Sequence, residues 1–489
     1  MFSRFKAIPF PILLTVLTAL RLVAAARAPL VHDETYYALW AQHPATGYYD
    51  HPPMVAWWID ATSIFGSSAL SVRLLFVLSF AAVCWLVFDT GKTLFGADVG
   101  RRSLLWLNAC VMLGVGTVLA TPDPPSMLMW AGGLWALARL QVSGKGWWWL
   151  VFGLFAGLGV EAKYTNFFLG LGVALWFGLD REARKSLLRP WPYLGGIVAA
   201  AAMAPNLVWN AQHHWLTLAK QFGRITPGHV TAKYLVEFVV SQPLLLNPLI
   251  FVFVIIGVLA WWKARSNNRL TLLIALPVPL IAYMLLHVFH DRIQGNWTAP
   301  LFPGLVVLAA AGAEGIAGKW LTRCRDWAAP LGIGVSALAL VYLGLGGAAP
   351  ALGTAGTGQG WDGLARDIQA KVTATGATWI APVDYDTEGE LTYHLRGIDV
   401  TAMEERDRYD WRNYDAMHVG QTALIVVPVN RQPDLGHCFS GVSDLGTASR
   451  GGKSARSQFH LYTGRLTALN CEVHELSSPE GTPAGPHGG

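Results

Sequence analysis

Residues 31–54, VHDETYYALWAQHPATGYYDHPPM, crowd acids, histidines and tyrosines between long apolar runs. Asp33, Glu34, Asp50 and His51 stand beside Tyr36, Tyr37, Tyr48 and Tyr49, and Pro52-Pro53 leads toward the pair Trp57-Trp58. Ionisable side chains are expensive to hold at a membrane face, so such a patch reads as a functional site unless it is only a solvated interfacial loop. Asp33 and Tyr37 are four apart, and a helix starting there puts both on one face. An Asp at a helix start is also a good N-cap. The chemical alternative is a general base at the membrane surface, where partial desolvation strengthens its basicity.

Other residues could complete such chemistry. Asp123 sits among prolines in TPDPPS, where an acid also suits a tight turn. Lys163, with Tyr164 beside it, and Arg224 and Arg292 are cations able to grip a phosphate, although a single Lys or Arg near a bilayer often only snorkels. His32, His51, His213, His214 and His290 leave a divalent metal open. Their spacing matches no recognised ligand pattern, so no metal ligand is assigned and no cofactor is expected outright. The chain has no Gly-rich phosphate loop, no GxSxG elbow and no CxxC pair.

The frame that must hold these residues is a membrane one. Of 489 residues, 53% are hydrophobic and only 14% charged, and the 22 Trp suit interfacial belts, so the composition is that of a polytopic α-helical membrane protein. A net charge of +5 would suggest nucleic acid if the basic residues shared one soluble face, but they fall in short loops between apolar runs. No nucleic-acid partner is expected; the bilayer is. Five Cys are too few for a disulfide scaffold; if the region of Cys438 and Cys471 lies outside the cytoplasm, the two are read equally as a disulfide or as two free thiols.

Apolar runs of spanning length lie near 8–28, 70–91, 103–120, 126–140, 190–209, 238–262, 270–289, 297–314 and 328–348. The first is read as a retained span rather than a cleaved signal peptide. The run 147–179 would make a helix of about 50 Å, too long for a core of about 30 Å. Glu161 and Lys163 interrupt it, so it is divided into 147–161 and 165–179 with a turn at Lys163-Tyr164. That makes about eleven transmembrane helices. With the N-terminus inside, Lys92/Arg101/Arg102, Arg139/Lys145, Arg181/Arg184/Lys185/Arg189, Lys263/Arg265/Arg269 and Lys319/Arg323/Arg325 all fall on the inner side, as the positive-inside rule requires. The chemically rich loops sort to the outer side.

The apolar pattern ends near residue 350. After the linker GTAGTGQG come the strand-like runs TWIAPV and TALIVVPV, a helix near Glu388–Leu395 between them and a closing strand QFHLYTG. The expected layout is a helical membrane domain over 1–349, a small α/β domain on the outer face over 350–475, and a disordered tail over 476–489.

VHDETYYALW followed by YYDHPPMVAW resembles the first outer loop of the GT-C glycosyltransferases that use polyprenyl-phosphate sugars, among them protein O-mannosyltransferase-like proteins and bacterial aminoarabinose–lipid A transferases. TPDPPSMLMWAGGLWALARL, GLFAGLGVEAKYTNFFLG, WNAQHHW and HDRIQGNWTAPLFPG follow in the order such proteins show. The resemblance implies an inverting transferase of the bacterial inner membrane. It would take one sugar from a polyprenyl-monophosphate donor and deliver it to lipid A or another envelope glycan, in preference to protein, on the periplasmic face. It implies that Asp33 deprotonates or orients the acceptor hydroxyl, with Glu34 beside it, and that Asp123 is a second outer-loop acid. Tyr37, Asp50, His51, Lys163, Tyr164 and Arg292 fall where substrate would be held. His51 departs from the pattern, since the aminoarabinose transferases carry Lys before the Pro-Pro pair. The rival readings are a transporter or flippase of a lipid-linked sugar, an oligosaccharide ligase of similar architecture, and a binding or assembly protein working through its outer domain.

Overall fold

A computed structural model of the 489-residue chain describes residues 9–223, 230–264, 267–345, 358–409, 411–412, 417–451, 455–469 and 471–476. Arg224, Arg265, most of the linker and nearly all of the tail lie outside these residues. In chain order the helices begin with α1 (Phe10–Arg27), α2 (His32–Ala41), α3 (Met54–Thr62), α4 (Ala69–Phe95), α5 (Ala97–Asn108) and α6 (Val111–Gly116). They continue with α7 (Asp123–Ser143), α8 (Trp148–Ala162), α9 (Phe167–Leu179), α10 (Arg181–Lys185), α11 (Trp191–Gln212) and α12 (Leu216–Gly223). Then come α13 (Lys233–Leu246), α14 (Pro248–Lys263), α15 (Asn268–Ala275), α16 (Val278–His287), α17 (Phe302–Gly312) and α18 (Lys319–Gly344). The mixed segment follows as α19 (Trp361–Thr375), β1 (Trp379–Pro382), α20 (Tyr385–His394), β2 (Asp399–Val400), β3 (Thr422–Pro428), α21 (Leu435–Cys438), β4 (Phe439–Ser449) and β5 (Gln458–Leu466).

Among the described residues, four helices are long and apolar enough to cross a membrane: Ala69–Phe95, Trp191–Gln212, Asn268–His287 with α15 and α16 taken together, and Lys319–Gly344. Counting the bent pairs Pro11–Arg27 with His32–Ala41 and Lys233–Leu246 with Pro248–Lys263 as one span each gives six. Several runs expected as single spans are broken, so the expectation of about eleven is not reached on these criteria. The run 238–262 turns through 102°. Asn247 takes a left-handed φ of 104° there, and Pro248 has no N–H to continue the helix. The Asn247 amide, 4% exposed, donates to Ala109 O at 3.3 Å and Ala328 O at 3.1 Å, while its oxygen accepts from Leu249 N at 3.0 Å. One side chain thus satisfies backbone groups that a break in an apolar bundle would strand. The run 103–120 breaks at Cys110, which is extended at φ −69°, ψ 118°. The division of 147–179 falls at Lys163, also extended, followed by a single 3-10 turn Tyr164–Asn166.

By contacts the chain forms two compact units. The first comprises Met1–Arg27, Thr46–Trp58 and Arg73–Gly344. Its core is a continuous apolar cluster running from Leu17 to Ile333. Small residues let its helices touch backbone to backbone, the usual device where lipid removes the hydrophobic incentive to pack. A Cβ on Gly153 of α8 would stand 2.0 Å from Gly195 O of α11, and one on Gly157 2.4 Å from Ala199 O. Several expected inner-loop cations cap helix ends: Arg269 donates to Leu94 O at 2.6 Å and Arg184 to Gly178 O at 2.6 Å.

The second unit comprises Leu345–Gly489 together with Ala28–Ala45 and Ile59–Val72. The expected membrane domain over 1–349 includes those two early segments. The unit's sheet has the order β2-β1-β3-β5-β4, parallel on either side of β1 and antiparallel from β3 onward. β3 is buried on both faces: Leu424 and Val426 meet α19 residues such as Leu364 and Ile368, while Ala423, Ile425 and Val427 meet Met403, Phe439 and Val473. Cys438 and Cys471 lie on the second face and form a disulfide. The expected strands are all present, the expected helix begins earlier as α20, and α19, β2 and the largely exposed β4 had not been foreseen.

Candidate active site

Asp123 opens α7, with Pro124 and Pro125 in its first turn, where a carboxylate also complements the helix dipole. Lys163, held extended at the break after α8, reaches it at 2.7 Å, and the two side chains are only 12% and 11% exposed. The other carboxylate oxygen accepts from Asn296 Nδ2 at 2.7 Å. An acid and a cation are thus fixed in one place by three separate stretches of chain. Beside Lys163, Tyr164 donates to Asn206 Oδ1 at 2.7 Å and accepts from Asn210 Nδ2 at 3.1 Å. Asn206 in turn donates to Thr46 O at 3.2 Å, and its backbone N–H, next to Pro205 in α11, donates to Glu161 Oε1 at 3.1 Å.

Residues 46–51 are tied down by α11 and α12. Gly47 lies on the Trp209 ring, Thr217 donates to Tyr48 O at 2.6 Å and Gln221 donates to Asp50 O at 2.7 Å. Lys220 pairs with Asp50 at 2.5 Å and sits 4.1 Å above the Tyr49 ring. His51 is half-buried in the turn before Pro52. Arg292 is elsewhere in its chemistry: exposed, it donates to Glu237 Oε1 at 2.8 Å, and Asn296 is the residue of HDRIQGNW that meets Asp123.

In the second unit, α2 carries Asp33, Glu34 and Tyr37. The N-cap is Val31, so Asp33 lies one residue inside the helix and is not its cap. Its carboxylate is one-third exposed, with His32 Nε2 at 3.8 Å. Glu34 is fully buried and accepts from Val31 N–H at 3.0 Å, which assigns it a structural bond at the helix start. Tyr37 is buried against Tyr36 and Trp40, with ring centroids 5.9 and 5.0 Å away.

Lys220, Asn206, Asn210 and Asn296 were not singled out from sequence. Asn210 lies in WNAQHHW and Asn296 in HDRIQGNW, but charge pointed to Arg224 and Arg292; amides gave no signal of their own. Among the described residues, the metal-competent group is His437, Cys438 and Cys471, whose thiols are taken up by the disulfide. His32, His51, His213, His214 and His290 form no such group there.

Comparison with known proteins bears on this geometry. The family model described as dolichyl-phosphate-mannose-protein mannosyltransferase matches residues 50–209. The lipid A galacturonosyltransferase RgtD of Rhizobium johnstonii is 27% identical over 285 residues, 57% of this chain and 59% of that protein. The match therefore spans less than two-thirds of the relative. ArnT from Cupriavidus metallidurans bound to undecaprenyl phosphate superposes with a TM-score of 0.66 at 14% identity, over 93% of this chain and 98% of that one. Its apo form gives 0.65. The chain has the fold of ArnT. Within this chain the family match takes in Asp50, Asp123, Lys163, Tyr164 and Asn206. Asp33 and Glu34 precede it, and Lys220, Arg292 and Asn296 follow it.

Proposed function

We propose that this chain is an integral-membrane glycosyltransferase of the bacterial inner membrane, with about eleven membrane crossings. It moves one sugar from a polyprenyl-monophosphate carrier to lipid A or a related envelope glycan at the periplasmic face. The single observation that carries the reading is the Asp123–Lys163–Asn296 cluster, a nearly buried acid and cation held by three stretches of chain. The lipid A relative and the undecaprenyl phosphate found with ArnT support the acceptor and the carrier.

The reaction is a displacement with inversion. The acceptor oxygen forms a bond to the anomeric carbon as the bond from that carbon to the carrier phosphate breaks, and the phosphate keeps the electron pair. Asp33 takes the acceptor's proton. The leaving phosphate needs no acid, because fixed cations meet its charge; Lys163, Lys220 and His51 are assigned that task, with Asp123 holding Lys163, Asp50 holding Lys220 and Tyr164 bracing Asn206 and Asn210 beside them. Glu34 and Tyr37 keep α2 in shape, and Arg292 takes part only through its surface pair.

Mass spectrometry of lipid A from cells lacking the protein tests this reading. One sugar mass is lost from the lipid and returns with the native gene but not with Asp33→Asn at equal expression. Unchanged lipid A refutes the acceptor assignment, and restoration by Asp33→Asn refutes the base. The name of the matching family model favours one second reading, transfer to protein. It predicts unchanged lipid A and a periplasmic protein lighter by one sugar.

A further inference from the structure

The break that carries Lys163 makes a second contact with α7 that the reaction above leaves unused. On α7, Asp123 and Ser126 are three residues apart and share a face at the start of the helix. On the break, Lys163 and Asn166 are also three apart, and Asn166 N–H donates to Lys163 O at 2.9 Å, closing the turn between them. The two stretches therefore meet at two points. Lys163 Nζ reaches Asp123 Oδ1 at 2.7 Å, and Asn166 Nδ2 donates to Ser126 Oγ at 2.6 Å.

Asn166 is the residue just before α9, where an Asn side chain ordinarily caps the helix. It makes no cap bond there, and its amide is turned to α7 instead. Asn166 is 1% exposed and Ser126 fully buried, so their bond is closed to water. The other amide atom, Oδ1, is buried without a hydrogen bond. A position that served packing alone would avoid that cost with an apolar residue. Gly159 of α8 makes the room: a Cβ there would stand 3.0 Å from the Asn166 side chain. The Gly159 carbonyl also accepts from Lys163 N–H at 2.9 Å. The Lys163 backbone is thus held from both sides, by Gly159 O and by Asn166 N–H. Its ammonium carries three N–H donors. Among the described residues Asp123 accepts from it, which leaves donors for an incoming anion.

We propose that Ser126 and Asn166 are positioning residues for Lys163, their hydrogen bond holding the break against α7 so that the ammonium meets the carrier phosphate at a fixed place. The proposal rests on the reading of Lys163 as a cation that meets the leaving phosphate. No bond is made or broken at Ser126 or Asn166. A lysine ammonium rides on a flexible four-carbon stem, whereas electrostatic catalysis needs the cation in place before the charge develops. Asp123 sets the tip of that stem, and the Asn166–Ser126 bond sets the backbone from which it grows.

The test is transfer by the full chain in native membranes, with lipid extract of the same cells supplying donor and acceptor and mass spectrometry reading the product. Rates are normalised to the protein that elutes as a single folded species after detergent extraction. Ser126→Ala and Asn166→Ala each lower turnover about 10- to 100-fold, the scale of loss when a reacting group shifts by about 1 Å. The dependence on the amount of extract stays native, because the loss falls on the transition state. Ser126→Ala/Asn166→Ala loses no more than the worse single variant, since one bond is removed in all three. Asn166→Ala added to Asp123→Asn/Lys163→Met, which strands no charge, costs less than about threefold, because no cation is left to position. Native turnover in folded Ser126→Ala overturns the proposal, and so does a full loss by Asn166→Ala on the background without Lys163. Native turnover of Asp123→Asn/Lys163→Met refutes the cation itself, whereas a slowed background on which Asn166→Ala keeps its full loss refutes only the positioning.

Discussion

Lys163 and Asp123 are the pair whose removal is most informative. At 2.7 Å and an effective dielectric of about 20, their attraction is about 6 kcal/mol. Desolvating both ions offsets several kcal/mol of that. Asn296 and the α7 N-terminus still support the carboxylate when Lys163 is gone. Lys163→Met is therefore expected to destabilise the protein by about 2–4 kcal/mol, chiefly by leaving a buried charge without its counter-ion. Asp123→Asn leaves the ammonium in the same position and loses a similar amount. The double variant Asp123→Asn/Lys163→Met carries no stranded charge and recovers most of the loss, giving a coupling of about 2 kcal/mol or more. Thermal unfolding in nanodiscs, followed by Trp fluorescence, measures all corners of the cycle. If the losses add to within about 0.5 kcal/mol, the pair is not coupled and the reasoning fails. Transfer separates structure from chemistry: the double variant folds but lacks the cation proposed to meet the carrier phosphate, so native turnover would remove Lys163 from the mechanism.

Two further outcomes follow from the fold. Asn247→Ala removes a cap of about 1 kcal/mol and places a Cβ residue without a local hydrogen bond at a left-handed φ, for a total loss of about 2–4 kcal/mol. Asn247→Gly relieves the backbone part and loses less, and equal melting temperatures for the two would refute the backbone argument. Burial pushes Glu388 up to about 7 from 4.5, against the pull of Arg412. A carboxyl raised in the folded state binds more protons than in the unfolded chain, so its contribution is present below about pH 4.5 and is lost as pH rises to about 7. That loss is at most about 3 kcal/mol. Glu388→Gln flattens the fall in the full chain's melting temperature over that window; an unchanged slope shows that Glu388 does not govern it.

Period and composition made much of the helical unit readable, because bilayer-length apolar runs and basic loops report themselves locally. What they concealed was tertiary. A break such as Asn247 is survivable only because Ala109 and Ala328 present carbonyls to it, and no run of hydropathy contains that fact. At the site, Asp123 and Lys163 stood out by charge, but Asn296 is neutral and its value is set wholly by where its loop folds. Arg292 illustrates the converse, a cation in a rich loop whose partner, Glu237, lies on α13. β1, β3 and β5 were legible, the first two by their β-branched residues, whereas β2 is only two residues long and β4 alternates too weakly to be seen. The allegiance of α2 to α20, so close that a Cβ on Gly389 would stand 2.9 Å from Tyr36 N, had no signal at all in sequence.

That allegiance has a consequence for the order in which the protein is made. α2 leaves the ribosome about 350 residues before the helix it packs against, an unusually non-local pairing. Through most of synthesis the segment bearing Asp33 therefore has no mate, and an interrupted chain could insert its helices without ever assembling it. Formation of α20 thus doubles as a checkpoint: only a chain translated past it gives the Asp33 segment its packing partner.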